Sequence, residues 1–127
     1  MIGLVVVSHS AKASEGICEI AAEMGGDARI EPAGGDEEGG IGTSAPAIEA
    51  AIEAADDGDG VVVLVDLGSA VMNAELGIEM AEVDARIADA PILEGALNAA
   101  VEATNPKATI DSVVEKAEEA RDYRKVN

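Results

Sequence analysis

Val61-Val62-Val63-Leu64-Val65, followed at once by Asp66-Leu67-Gly68-Ser69, is the stretch that decides the fold. Consecutive apolar, mostly β-branched residues leave no polar face, so Val61 to Val65 reads as a strand covered on both sides, in the middle of a parallel sheet. The switch to Asp-Leu-Gly-Ser ends the strand, and a helical pattern follows from about Ala70 to Ala81.

The same grammar repeats on either side. Ile2 to Val7 is a second apolar run, stopped by Ser8-His9-Ser10. From Ala11 to Met24 the apolar Ile17, Ile20, Ala21 and Met24 recur at helical spacing, and Gly25-Gly26 ends that helix. Ala28 to Ala33 is a weaker strand. Gly34 to Gly42, with five glycines and three acids, is a loop, and Thr43 or Ser44 then caps a helix over Ala45 to Ala55. Beyond the central strand, Ala85 to Ala90 reads as a fourth strand, Pro91 breaks it, and helices follow at Glu94 to Ala103 and Ile110 to Arg124. Strands alternating with helices imply right-handed crossovers. The expected architecture is a doubly wound α/β domain over residues 1–127: a parallel sheet of order 2-1-3-4 with helices on both faces.

Composition narrows the function classes. With 26 acidic against 8 basic residues the formal net charge is −18, which makes nucleic acid an improbable partner. A carboxylate-rich, lysine-poor surface suits a high-salt environment, where ions screen the self-repulsion. The core lacks Phe and Trp and must be packed from Val, Ile, Leu, Met and Ala. Cys18 is the one cysteine, so it forms no internal disulfide, and it falls on the expected buried side of the first helix. No basic leader precedes the first strand, and its apolar run is too short for a membrane span, so the expectation is a cytoplasmic protein.

In doubly wound folds ligands meet the carboxyl ends of the strands. That rule selects Ser8-His9-Ser10, Gly42-Thr43-Ser44, Asp66-Leu67-Gly68-Ser69 and Pro91-Ile92-Leu93. His9 is the only histidine. At a strand end it is either a structural terminator or a nucleophile held in orientation yet open to the rim. Asp66 is either a helix cap or the acceptor that fixes the imidazole tautomer, leaving Nε2 as the reactive nitrogen. Thr43 and Ser69 are plain caps or hydroxyl donors to a phosphate, and Gly42 and Gly68 are turn residues or places where backbone approaches it. Ser8 and Ser10 are read as bonding locally. There is no phosphate-loop lysine, no GxGxxG after a strand and no ligand cluster for zinc.

Four blocks, LVVVSHSAKASEG, GGIGTSAPAIEAAI, VVVLVDLGSAVMNAEL and APILEGALNAAV, together closely resemble the DhaM subunits of phosphoenolpyruvate-dependent dihydroxyacetone kinases, whose domain is similar to the mannose-family IIA domain. The resemblance runs from Met1 to Val101. It implies that His9 takes a phosphoryl group from the phosphohistidine of HPr and gives it to ADP on DhaL, which serves DhaK. It further implies that Asp66 orients His9 and that Gly42, Thr43, Gly68 and Ser69 line the phosphate. ADP, ATP and magnesium would reside on DhaL, this chain would bind no cofactor or metal, and it would be a homodimer. Some members continue into fused HPr and enzyme I domains; here those carriers are expected on separate proteins, as in a haloarchaeal-type single-domain form. The long acidic loop Asp36 to Gly40 departs from the family pattern. Two other readings stay open: a IIA component of a mannose-family sugar transporter, and a receiver-like module phosphorylated on Asp66.

Overall fold

The computed structural model describes all of residues 1–127. Along the chain come β1 (Gly3–Ser8), α1 (Ala11–Ala22), β2 (Ile30–Gly34), α2 (Ala45–Ala55), β3 (Val61–Val65), α3 (Val71–Ala81), β4 (Ala85–Ala88), α4 (Ile92–Ala103) and α5 (Ile110–Glu118), with 3₁₀ turns at Gly68–Ala70 and Glu119–Asp122. The four strands pair in parallel in the order β2-β1-β3-β4, as the alternation of elements requires.

The all-apolar runs of β1 and β3 each serve two cores. Leu4 and Val6, with Val62 and Leu64, face α1, α4 and α5, whereas Val5 and Val7, with Val61 and Val63, face α2 and α3. All eight are fully buried, and burying each such side chain stabilises by about 1.5–3 kcal/mol. With no large aromatics, the helices close onto the sheet through small residues: Ala21, Ala96, Ala99 and Ala100 on one face, Ala51, Ala55, Ala70 and Ala74 on the other. Two glycines take this to its limit. A Cβ on Gly3 would lie 2.1 Å from the Ala55 carbonyl oxygen, and one on Gly77 would lie 2.7 Å from Ile48 Cγ2.

Element boundaries shift for local reasons. β2 starts at Ile30, because the Ala28 N–H turns back onto the Gly25 carbonyl, and it extends to Gly34, where a Cβ would meet Ser14 Oγ at 2.3 Å. Glycine there lets the start of α1 cross close over the strand end. Pro32 sits opposite Val6 in β2, and an edge strand tolerates its missing N–H. α1 stops at Ala22, β4 at Ala88, and α4 begins at Ile92 with Pro91 as its N-cap. α5 gives way to a 3₁₀ turn after Glu118 instead of running to Arg124. No helix is long and apolar enough to cross a membrane.

Candidate functional site

β1 and β3 lie in register, Val7 opposite Val65, so their carboxyl ends stop side by side. α1 leaves β1 toward one face and α3 leaves β3 toward the other, which opens a crevice between the strand ends. One further rung, from the Asp66 N–H to the Val7 carbonyl at 3.1 Å, carries Asp66 up beside His9.

The two side chains meet there. His9 Nδ1 lies 3.0 Å from Asp66 Oδ1. The other carboxylate oxygen, Oδ2, accepts the His9 backbone N–H at 2.9 Å and the Ser8 hydroxyl at 3.0 Å. Burial pushes the Asp66 carboxyl up, but the bonds from the His9 amide, the His9 ring and Ser8 outweigh it, and the group is held below the usual carboxylate range. Asp66 is therefore an ionised, acceptor-only group, so Nδ1 carries a proton, and in the neutral ring Nε2 keeps the lone pair. That lone pair faces Ser69 Oγ at 3.0 Å, which makes the serine hydroxyl the donor. The side chains of His9 and Asp66 are 23% and 19% exposed, reachable from the rim yet held from behind.

Of the two roles open to Asp66 in the sequence, the cap is not the one adopted. Its side chain caps no helix; Leu67 precedes the 3₁₀ turn, and α3 starts without a side-chain cap. Ser44, not Thr43, caps α2. Gly42 reaches the site by donating its N–H to the His9 carbonyl at 2.9 Å, with φ +149° that favours glycine. Its amide is thereby committed to the His9 carbonyl. Thr43 Oγ1 accepts Asn73 Nδ2 at 2.7 Å and retains its own proton for a further acceptor. A Cβ added at Gly68 meets nothing within 4 Å, so the fold itself does not demand glycine there. Pro91 gives its carbonyl to Gly95 in α4, and no hydrogen bond joins the Pro91-Ile92-Leu93 segment to His9.

Sequence reasoning left two contributors out. Asn73 ties α3 to Thr43; its position one helical turn beyond Ser69 was the available signal. Ser8, read as bonding locally, reaches across to Asp66. Around the crevice Ile41, Leu67 and Met72 are exposed, each next to or near a residue of the site, and Lys12 in the first turn of α1 is the one basic residue near His9 in sequence.

Together these features define a parallel α/β protein with a carboxylate-oriented histidine at its topological switch point. The chain belongs to the EIIA-man family, the PTS system fructose IIA components, whose family model matches residues 3–117. It is 44% identical over 94 residues to the phosphoryl donor subunit DhaM of PEP-dependent dihydroxyacetone kinase 1 from Listeria innocua, covering 74% of this chain and 75% of that one. The DhaM subunit of Escherichia coli is 40% identical over 122 residues, 90% of this chain but 26% of the relative, so this chain spans about a quarter of that protein's length. A crystal structure described as a protein of unknown function superposes with a TM-score of 0.80 at 28% identity, covering 99% of this chain and 98% of the other.

Proposed function

We propose that His9 is a phosphoryl carrier that accepts phosphate on Nε2 from the phosphohistidine of HPr and passes it to ADP held on DhaL, which then supports phosphorylation of dihydroxyacetone on DhaK. The observation that carries this reading is the 3.0 Å contact between Nδ1 and Asp66 Oδ1, which leaves the lone pair on the nitrogen at the rim. The similarity to proteins named as phosphoryl donor subunits of PEP-dependent dihydroxyacetone kinases supports a role in phosphoryl transfer.

In the forward step the Nε2 lone pair attacks the phosphorus, an N–P bond forms, and the N–P bond to the donor imidazole breaks. The His9 ring becomes cationic without losing its Nδ1 proton, and the adjacent Asp66 carboxylate stabilises that charge. Ser69 must release Nε2 for the attack; its hydroxyl then has a phosphoryl oxygen within reach, and Thr43 offers a second donor. In the return step an oxygen of the terminal ADP phosphate attacks and the His9 N–P bond breaks. No nucleotide, metal or sugar needs a place on this chain. Exposed Ile41, Leu67 and Met72 suit a protein partner better than a free small anion. The protein would act in the cytoplasm as a homodimer. Both Asp66 oxygens are occupied by donors, which favours His9 over Asp66 as the phosphoryl acceptor.

The test is to load the protein from phosphorylated HPr and then add DhaL with ADP. Phosphate that is acid-labile, base-stable and discharged by DhaL–ADP is the expected result; loading of His9→Ala would overturn it. A second reading, a IIA component of a sugar transporter, draws on the fructose IIA description of the family. It predicts discharge by a IIB transport protein and none by DhaL–ADP.

A further inference from the structure

We propose that Ser8 is a positioning residue for His9: its hydroxyl, oriented by the Ser10 amide, holds Asp66 in the rotamer that keeps the proton on Nδ1. The inference deepens the carrier reading and rests on it for its rate arm alone.

Ser8 is the last residue of β1 and only 2% exposed, the one polar side chain in a strand that otherwise buries apolar groups on both faces. A buried hydroxyl needs partners, and this one has two with opposite demands. Its oxygen accepts the Ser10 N–H at 3.1 Å, and that amide can only donate. The hydroxyl proton is thereby directed the other way, onto Asp66 Oδ2 at 3.0 Å, where an ionised carboxylate can only accept. The result is a set of bonds that converge on the carboxylate: Ser10 N–H to Ser8 and Ser8 O–H to Asp66 Oδ2 from one side, and His9 Nδ1–H to the opposite oxygen from the other. The two consecutive bonds through the Ser8 hydroxyl polarise one another.

Oδ2 is held by two donors, the Ser8 hydroxyl and the His9 amide. With the hydroxyl removed, a single backbone donor remains against water at a partly exposed rim. The carboxylate is then free to turn outward about χ2 and let go of Nδ1. Without that acceptor the two neutral tautomers become comparable, and the fraction of rings with a free lone pair at Nε2 falls. Ser8 therefore acts on the nucleophile through Asp66 while touching neither the phosphate nor a partner.

Because His9 is the only histidine, ¹⁵N NMR of the labelled imidazole reads its tautomer without overlap. The comparison is wild type, Ser8→Ala and Ser8→Thr, with thermal unfolding measured alongside. Wild type is expected to be predominantly Nδ1–H. Ser8→Ala should give a mixture, and the maximal loading rate from phosphorylated HPr should fall about tenfold, a factor of about two from the equalised tautomers and the rest from a displaced Asp66 that no longer stabilises the imidazolium, with KM for the donor unchanged. Ser8→Thr, which keeps the hydroxyl, should restore both. Ser8→Ala with a wild-type tautomer and rate, whether or not its Tm falls, overturns the proposal and leaves Ser8 as a buried group satisfying itself. If wild type itself never loads, the carrier reading fails, and the tautomer measurement still decides the role of Ser8.

Discussion

Replacing Asp66 with asparagine keeps the shape of the side chain and reverses its hydrogen-bonding sense at one atom. In the protein, Oδ2 accepts two donors and Oδ1 accepts the imidazole. An amide can keep the two donors satisfied only by placing its oxygen at Oδ2, which puts its NH₂ against Nδ1. The ring must then accept at Nδ1 and carry its proton on Nε2, the nitrogen that has to attack. Two effects add: loss of a charge-assisted hydrogen bond of about 1.5–3 kcal/mol, and a preference for the wrong tautomer of about 1 kcal/mol. Loading from phosphorylated HPr should therefore slow by about 10²–10³-fold, since every 1.4 kcal/mol is a factor of ten. The assay is the rate of phosphohistidine formation by intact mass, followed in parallel with ¹⁵N imidazole signals that should move to Nε2–H. Loading within about threefold of wild type, less than one hydrogen bond is worth, would refute the claim that Asp66 sets the tautomer.

Further outcomes follow from other parts of the structure. Because the folded Asp66 carboxyl is held low, the unfolded chain binds its proton first as pH falls; the stability this contributes is whole above about pH 5 and is lost below about pH 4. Urea midpoints of wild type and Asp66→Asn should therefore converge in acid. Gly68→Ala meets open space and Gly34→Ala meets Ser14 Oγ and the Ser10 carbonyl at 2.3 and 2.4 Å, so thermal unfolding should be nearly unchanged in the first and lowered by about 2 kcal/mol or more in the second. Cys18 is buried, and burial together with Glu31 and Glu15 pushes its thiol up to about 11; alkylation at pH 8 should be slow in the native protein and fast in denaturant. With a net charge of −18, loading by an acidic donor should accelerate from dilute buffer as salt screens repulsion, and a rate that falls monotonically would contradict this.

The sheet was legible because β1 and β3 are buried on both faces and so read as unbroken apolar runs. Neighbouring β1 and β3 make a His9–Asp66 pairing natural from the alternation of elements alone. The edges were less legible. β2 contains Glu31 and Pro32, and its end depends on Gly34 admitting α1, a contact between segments that local pattern does not encode. The part of the site carried by backbone also escaped the sequence: the Gly42 amide goes to the His9 carbonyl, and the Asp66 carboxylate is held partly by the His9 amide. Ser8 was underread for a related reason. Its two-residue bond to Ser10 is what a serine at a strand end makes by default, while its bond to Asp66 spans 58 positions.

The doubly buried β1 carries a consequence for how the chain finds its alignment. A one-residue slip of Leu4 to Val7 against β3 exchanges valines for valines and leucine for valine, so greasiness alone hardly distinguishes the right pairing from its neighbours. The discriminating information lies at the two ends. At one, only Gly3 fits beneath Ala55, and a slip would drive Leu4 or Ile2 into that carbonyl. At the other, a slip would strand Ser8 and His9 away from Asp66 and leave an ionised carboxylate without its donors. The residues gathered for chemistry thus also act as a registration mark for the sheet.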